Sequence, residues 1–537
     1  MANRIKKKEE TKSSYQDNVA LIMGMFTLAV LCALPLVFRD YYFNILETKY
    51  QFYCIVSIIA LVVMGGYGLA SGKMIEWFSK FDFKTWRKGM SFGDWAMIAF
   101  WLANVISWAL SKDWKWEAFW GTSGRYNGVF LMTIYMAVYF LVTRFFKLKR
   151  WYLDAFLAVG IFVCVFGITD YFQMDVLGFK VNMMDTQKSS YTSTFGNINT
   201  YTIYVAALMA ISMILFTQEK NQKRMMWYYG NMILSVFALI MGNSDNAYLS
   251  LAALFGLSPL WLFKTKTGIR KYMISLASFF TVIWCIEWIN NAYASSVLGI
   301  SSAFDLIAGH KFLPVLIAVL WIISGVLVFL DKKSKVSRTY TEETNKILIY
   351  IWIALIVVVC AAAAFVLYDA NVAGHADKYS AISNYVVFND AWGTHRGYIW
   401  KRAMEIFTDK LTPVQKLFGY GADTFALIMQ YYFPPAQSGG TITIYDSAHN
   451  EYLHYLITIG LFGTGSYIAF MLASVAAMAR KMKEQPEVMA IMIAVLAYMI
   501  QAVVNINLPI AMPIIIQLLA MGVGRKKILA EETKTEQ

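Results

Sequence analysis

Apolar residues in this chain gather in long runs instead of alternating with polar ones. Fourteen such runs stand at 19–38, 50–70, 94–111, 128–143, 151–171, 199–216, 226–243, 246–263, 272–290, 312–330, 347–367, 450–478, 488–504 and 508–524. A helix of about 17–25 apolar residues crosses the hydrocarbon core of a bilayer, and a spanning helix satisfies all its backbone groups internally. The pattern predicts an all-α, polytopic integral membrane protein with about 12–14 transmembrane helices. An even count puts both termini on one side. No small-residue cleavage site follows the first run, so it reads as a retained span and not a signal peptide. The chain divides into a basic amino-terminal segment (1–18), eleven spans (19–367), a long polar segment (368–449), three more spans (450–524) and a short tail (525–537).

The segments between the runs differ in charge by side. With the amino terminus in the cytoplasm, the inner segments hold 33 of the 47 lysines and arginines and the outer ones 14. An excess of basic residues marks the cytoplasmic face. Both termini are therefore expected inside, and 368–449 outside. The same bias accounts for the net charge of +13 without any nucleic-acid partner. A chain with 58% hydrophobic and 15% charged residues lies outside the range of soluble domains. Its five cysteines (Cys32, Cys54, Cys164, Cys285, Cys360) are scattered singly, which fits neither a disulfide framework nor a CxxC metal site.

The outer segment is too long for a plain connection. Within it, "RGYIWKRAMEIFTDK" (Arg396–Lys410) sets Ile399, Ala403 and Ile406 on one helical face and Lys401, Arg402, Glu405 and Asp409 opposite. Such a helix can lie on the outer leaflet or form a platform over a site at the membrane surface. "GYG" at 419–421 marks a turn.

Polar groups concentrate where this segment meets the twelfth run, in "DSAHNEYLHYLITIGLFG" (Asp446–Gly463). A lone interfacial histidine is commonly an amphipathic anchor. His449, however, has Asp446, Asn450 and Glu451 beside it, and these acids are expected to orient the ring or raise its pKa. His454 lies deeper and reads as packing; its five-residue spacing from His449 does not fit the helical HExxH zinc pattern. Outer arginines (Arg39, Arg125, Arg396, Arg402) are not explained by the orientation bias. They can snorkel to headgroups, or offer a two-pronged fork to phosphate. Arg125 sits in the glycine-punctuated "WGTSGRYNG", and Arg396 opens the amphipathic helix. Asn197 ("STFGNINTY") enters the sixth span; Asp245 ("MGNSDNAYLS") lies between the seventh and eighth, facing a wet cavity or capping a helix.

Taken together, "WGTSGRYNG", "TFGNIN", "RGYIWKRAMEIF", "LFGYGADTF", "AHNEYL" with the His449-to-Gly460 spacing, and "YMIQAVVNINLP" resemble the O-antigen ligase and O-antigen polymerase superfamily. The resemblance spans about residues 90–520. It implies a glycosyltransferase needing no metal and no cofactor. Such an enzyme moves a glycan from an undecaprenyl-diphosphate carrier to a lipid or glycan acceptor hydroxyl, on the extracytoplasmic face of the bacterial inner membrane, for surface polysaccharide assembly. The family's Ser-Arg pair at the outer end of a middle span falls here on Ser244 and Asp245. The diphosphate role is therefore expected of Arg125 and Arg396. His449 is expected to take the proton of the acceptor hydroxyl, with Asp446, Asn450, Glu451, Asn197 and Asp245 in support. Motifs shared across the family do not separate ligase, polymerase and protein O-oligosaccharyltransferase. From another class, a polysaccharide or lipid-carrier flippase would also have many spans, but it would tend to carry internal repeats, and none is seen.

Overall fold

The computed structural model describes residues 2–300, 302–333, 346–434 and 445–524; the tail at 525–537 and most of the basic segment 331–346 lie outside the described residues. The described chain is all-α apart from one short antiparallel pair, Tyr191–Thr192 with Gly196–Asn197. Each of the fourteen runs falls on a helix, but among the described residues ten helices are long and apolar enough to cross a bilayer. Three are shorter: Val129–Phe145, Asn246–Leu262 and Met512–Val523. The remaining one, Gln222–Met241, opens on polar residues that include Lys223 and Arg224. The last run is shortened because Asn505, with extended backbone (φ −133°, ψ 174°), ends the preceding helical stretch, and the chain re-enters a helix only at Met512.

The centre of the bundle is the helix Ile198–Gln218, buried along its whole apolar window and packed against Pro486–Gln501 and Gln222–Met241. Helix Lys346–Asn371 is the opposite case: its apolar window presents no buried residue, so its surface is left to lipid. Near the amino-terminal end of Ile45–Ala70, the buried ammonium of Lys49 donates to the carbonyls of Leu34 (2.7 Å) and Pro35 (2.9 Å). It satisfies orphan acceptors at the end of the first span, where they have no helical partner.

The twelfth run does not form one span. It breaks at Ile459–Gly460 into a short helix, Glu451–Thr458, and a spanning helix, Gly460–Lys481. Gly460 takes a left-handed φ of +69°, and a Cβ there would stand 2.5 Å from the carbonyl of Leu417. Gly419 (φ +83°) is as tight against the carbonyl of Thr458. Tyr420 N and Gly421 N then donate to Ile457 O (3.2 Å) and Thr458 O (3.1 Å). The outer segment is thus sewn onto the break, which is why the spacing from His449 to a glycine matters. Gly460→Ala should lower thermal stability by several degrees and reduce the amount of folded protein, measured by a thermal shift in detergent, because both the φ and the backbone approach exclude a side chain.

The outer segment has its own core. Ile399, Ala403 and Ile406 pack with Leu411, Phe425, Ile428, Met429, Ala448 and Ile457. The apolar face of the helix Trp392–Glu405 is taken up by this core and not by the leaflet, so the helix forms a platform. Trp400 Nε1 donates to Ala448 O (2.8 Å), which ties the platform to the residue before His449.

Candidate active site

The site is assembled from four stretches of chain. The first is the turn from Gly121 to Gly128. A Cβ on Gly121 would meet Tyr126 Cα at 2.4 Å, and one on Gly128 would meet Gly121 N at 2.3 Å. Glycines stand at both ends because the ends lie against each other. A buried carboxylate from far along the sequence closes this turn: Asp423 Oδ2 accepts from Thr122 N and Asn127 N, each at 3.0 Å. Asp423 itself holds a left-handed φ of +56°, and its "GYGAD" turn delivers it inward.

Arg125 is buried at 3% exposure. Its Nε approaches Asp423 Oδ1 at 3.4 Å, and Nη2 donates to Asn507 O at 3.3 Å. Asn127 Nδ2 donates to the same carbonyl at 2.6 Å. Burial alone would raise the Asp423 pKa. The facing His454, the Arg125 charge and the Asn127 amide outweigh it and hold the carboxyl below its ordinary value. His454 Nε2 stands 3.6 Å from Asp423 Oδ1, with its ring stacked on Phe425. It packs as expected, and it also belongs to the carboxylate network, which its sequence position did not suggest.

His449 follows in a strained backbone (φ +46°), its N–H bonded to Ser447 Oγ at 3.0 Å. Its imidazole is pushed down to about 4, by burial first and then by the charge of Arg396, with Arg125 and His454 adding to the effect. This corrects the expectation of a raised pKa: Asp446 does pull upward, but it is exposed and does not prevail. Glu451 gives no help, because its carboxylate is turned away. Tyr498 OH and Asn507 Nδ2 donate to it at 2.6 and 2.9 Å within the bundle. Asn450 is the N-cap of the short helix, its Oδ1 accepting from Leu453 N at 3.0 Å, so its side chain is spent on the backbone.

Arg396 lies close to both His449 and Asp245. Burial lowers the guanidinium's pKa and the Asp245 charge partly restores it. The turn before it, Gly393–His395, runs through three successive left-handed residues, including the β-branched Thr394 at φ +56°. Gly397 follows because a Cβ there would lie 1.9 Å from Asn389 O. Asp245 occupies the N-cap position of helix Asn246–Leu257, but its side chain makes no capping bond and is exposed. The capping reading therefore fails, and Asp245 acts as a counter-charge for Arg396. Asn197 caps the central helix through Asn199 N and Thr200 N, a local role. Arg39 pairs with Asp40 on exposed ground, and half-buried Arg402 pairs with Glu405 and stacks on Tyr398 and Phe433.

The structure thus brings Arg396 and Arg125 into electrostatic reach of His449, with Asp245 acting on Arg396 and Asp446 on His449, while the cleft around Arg125 itself is lined by His454, Asn450 and Glu451. Among the described residues, Nδ1 of His449, Nη1 of Arg125 and Nε of Arg396 are buried without a hydrogen-bond partner, as are Nδ1 of His454 and Oδ1 of Asn127 and Asn507 around Arg125. Nearly all buried polar atoms are paired, so this group of six calls for an explanation. Residues 297–468 match the family model described as O-antigen ligase. This stretch belongs to the O-antigen ligase family. The O-antigen ligase stretch covers about a third of the chain, including the whole outer segment, Arg396, Asp423, His449 and the broken helix; Arg125 lies outside it. It supports a ligase- or polymerase-like glycosyl-transfer function at the general level, in a multi-span membrane protein. No curated protein matches the chain.

Asp423 and Asn507 are the site residues that sequence reasoning passed over. Both stand in motifs it quoted, "GYGADTF" and "VVNINLP", where an acid follows a double-glycine turn and amides precede a proline.

Proposed function

We propose that the chain transfers a glycan from a polyprenyl-diphosphate donor to an acceptor hydroxyl at the extracytoplasmic membrane surface, with His449 as general base and Arg125 and Arg396 as the diphosphate clamp. The carrying observation is the set of three unpaired buried nitrogens on those residues. A hydroxyl is a poor nucleophile until a base takes its proton as the new bond forms. A leaving diphosphate gains negative charge, which positioned guanidiniums stabilise best in a site shielded from water. An imidazole kept neutral by burial and by the charges of Arg396 and Arg125 can accept a proton without first losing one. Binding of the diphosphate anion would offset the arginine charges, so the imidazole would become more basic when the donor is in place.

Two experiments test this reading. In lipid-linked glycan profiling of a strain lacking the protein, the unspent donor should accumulate and the mature surface glycan should be lost. In purified protein, Arg396→Lys keeps the charge but loses the planar fork, and should slow transfer by about tenfold or more at unchanged protein level. Normal transfer by that variant would leave Arg396 as a headgroup anchor. Orientation has its own test: cysteine at Lys378, an exposed position on the outer segment, should react with a membrane-impermeant maleimide from outside intact cells. Labelling only after permeabilisation would move the site to the wrong face.

A further inference from the structure

A second polar pocket, of about 300 Å³, lies apart from the arginines, lined by Asp170, Gln173, Asp175, Lys180, Val181 and Lys188 together with Leu298. We propose that it is a subsite for an uncharged, hydroxyl-rich stretch of the glycan, an inference that rests on the glycosyl-transfer reading above.

Charge points to this class of ligand. The pocket has two carboxylates and two ammoniums, and each ammonium is already matched: Lys180 Nζ to Asp170 Oδ1 at 3.3 Å, Lys188 Nζ to Asp185 at 2.7 Å. A phosphate would find no uncompensated cation here. Sugar hydroxyls donate and accept at once, and carboxylates beside ammoniums offer both kinds of partner, while the Asp175 carboxylate, matched only by the Lys180 backbone N–H, leaves the wall unfavourable to an anion. Asp170, one of the lining residues, is 1% exposed, and its Oδ1 accepts no hydrogen bond beside the Lys180 ion pair. Its other oxygen is committed to Ser193 N at 2.6 Å.

That bond also links the pocket to the candidate active site. Ser193 opens the loop that caps the central helix through Asn197. Asn199 then accepts from Ser244 and Asn246 through Oδ1, and from Asn505 Nδ2 through its carbonyl. Asn505 lines the cleft around Arg125. The two pockets are therefore joined by one hydrogen-bonded stretch of chain, which suits a site that must hold one extended molecule in register. Gln173, in a left-handed conformation (φ +55°), has Nε2 on Val297 O at 2.9 Å and so joins the wall to the neighbouring outer loop.

The test uses the full chain in nanodiscs and, as probe, the oligosaccharide released by mild acid from the source strain's own lipid-linked donor. Val181 is 73% exposed, so Val181→Trp should fill the pocket without disturbing the fold. Wild type should bind the probe, and Val181→Trp and Gln173→Ala should each weaken it by about tenfold or more, the scale of one or two hydrogen-bonded contacts. His449→Ala should bind it like wild type. Inorganic pyrophosphate should bind Val181→Trp normally and Arg125→Ala weakly. Probe binding by Val181→Trp at wild-type strength, or no probe binding by wild type, overturns the subsite. Failure of the glycosyl-transfer reading is distinct: a strain lacking the protein would keep its normal surface glycan.

Discussion

Replacing His449 with alanine should slow glycan transfer on the order of 10²–10⁴-fold, the usual contribution of a general base, while the protein level and pyrophosphate binding stay near normal. The ring makes no hydrogen bond through Nδ1 among the described residues, so its removal should cost little in folding. His449→Gln retains a polar side chain but no base near neutral pH, and should be nearly as slow. The acid limb of the pH profile adds an independent mark. Only neutral imidazole can take the proton, so activity is present above its pKa and lost below it. In the free chain that pKa is pushed down to about 4, so kcat/KM should persist to unusually acid pH and fall only as pH drops through about 4. In the donor complex the anion compensates Arg396 and Arg125, so the acid limb of kcat should lie at higher pH than that of kcat/KM. Near-normal transfer by His449→Gln would reduce the imidazole to an orienting group.

How much of this was legible beforehand differs from element to element. The spans were readable because hydrocarbon demands a long apolar run, and no tertiary contact can relax that demand. The amphipathic helix was readable too, since Ile399, Ala403 and Ile406 share a face whatever they pack against. What covers that face, the loop's own core in place of lipid, depends on partners as distant in sequence as Ile457. The broken twelfth span was hidden because Ile459 and Gly460 are unremarkable in an apolar run; the break comes from the crossing backbone at 417–421. Neighbourhood in sequence also misled. Glu451 is two residues from His449, yet the helix that starts between them turns its carboxylate toward Tyr498 and Asn507. Arg396, about fifty residues away, is the charge that the imidazole feels most.

Asp423 carries the other large expected effect, because it clamps the Gly121–Gly128 turn and faces both Arg125 and His454. Asp423→Asn preserves shape and can still accept from Thr122 N or Asn127 N, but it removes the charge opposite a buried guanidinium. Breaking one side of a buried pair costs about 3–5 kcal/mol, since the remaining charge stays out of water. Part of that cost should be avoided here, because Arg125 also donates to Asn507 O. The remainder should emerge as loss of position: displacement of a catalytic group by about 1 Å can cost on the order of 10²-fold in rate. Asp423→Asn should therefore slow transfer by about 10²-fold and weaken pyrophosphate binding, while the acid limb set by His449 stays in place. A merely structural role would lower protein level and leave the surviving molecules with normal rates. The double variant Asp423→Asn with Arg125→Ala discriminates further. If Asp423 acts by holding Arg125, the double variant should be little slower than Arg125→Ala alone, since residues acting as a unit are not additive. Fully multiplicative losses would mean that Asp423 works through His454 or through the turn instead.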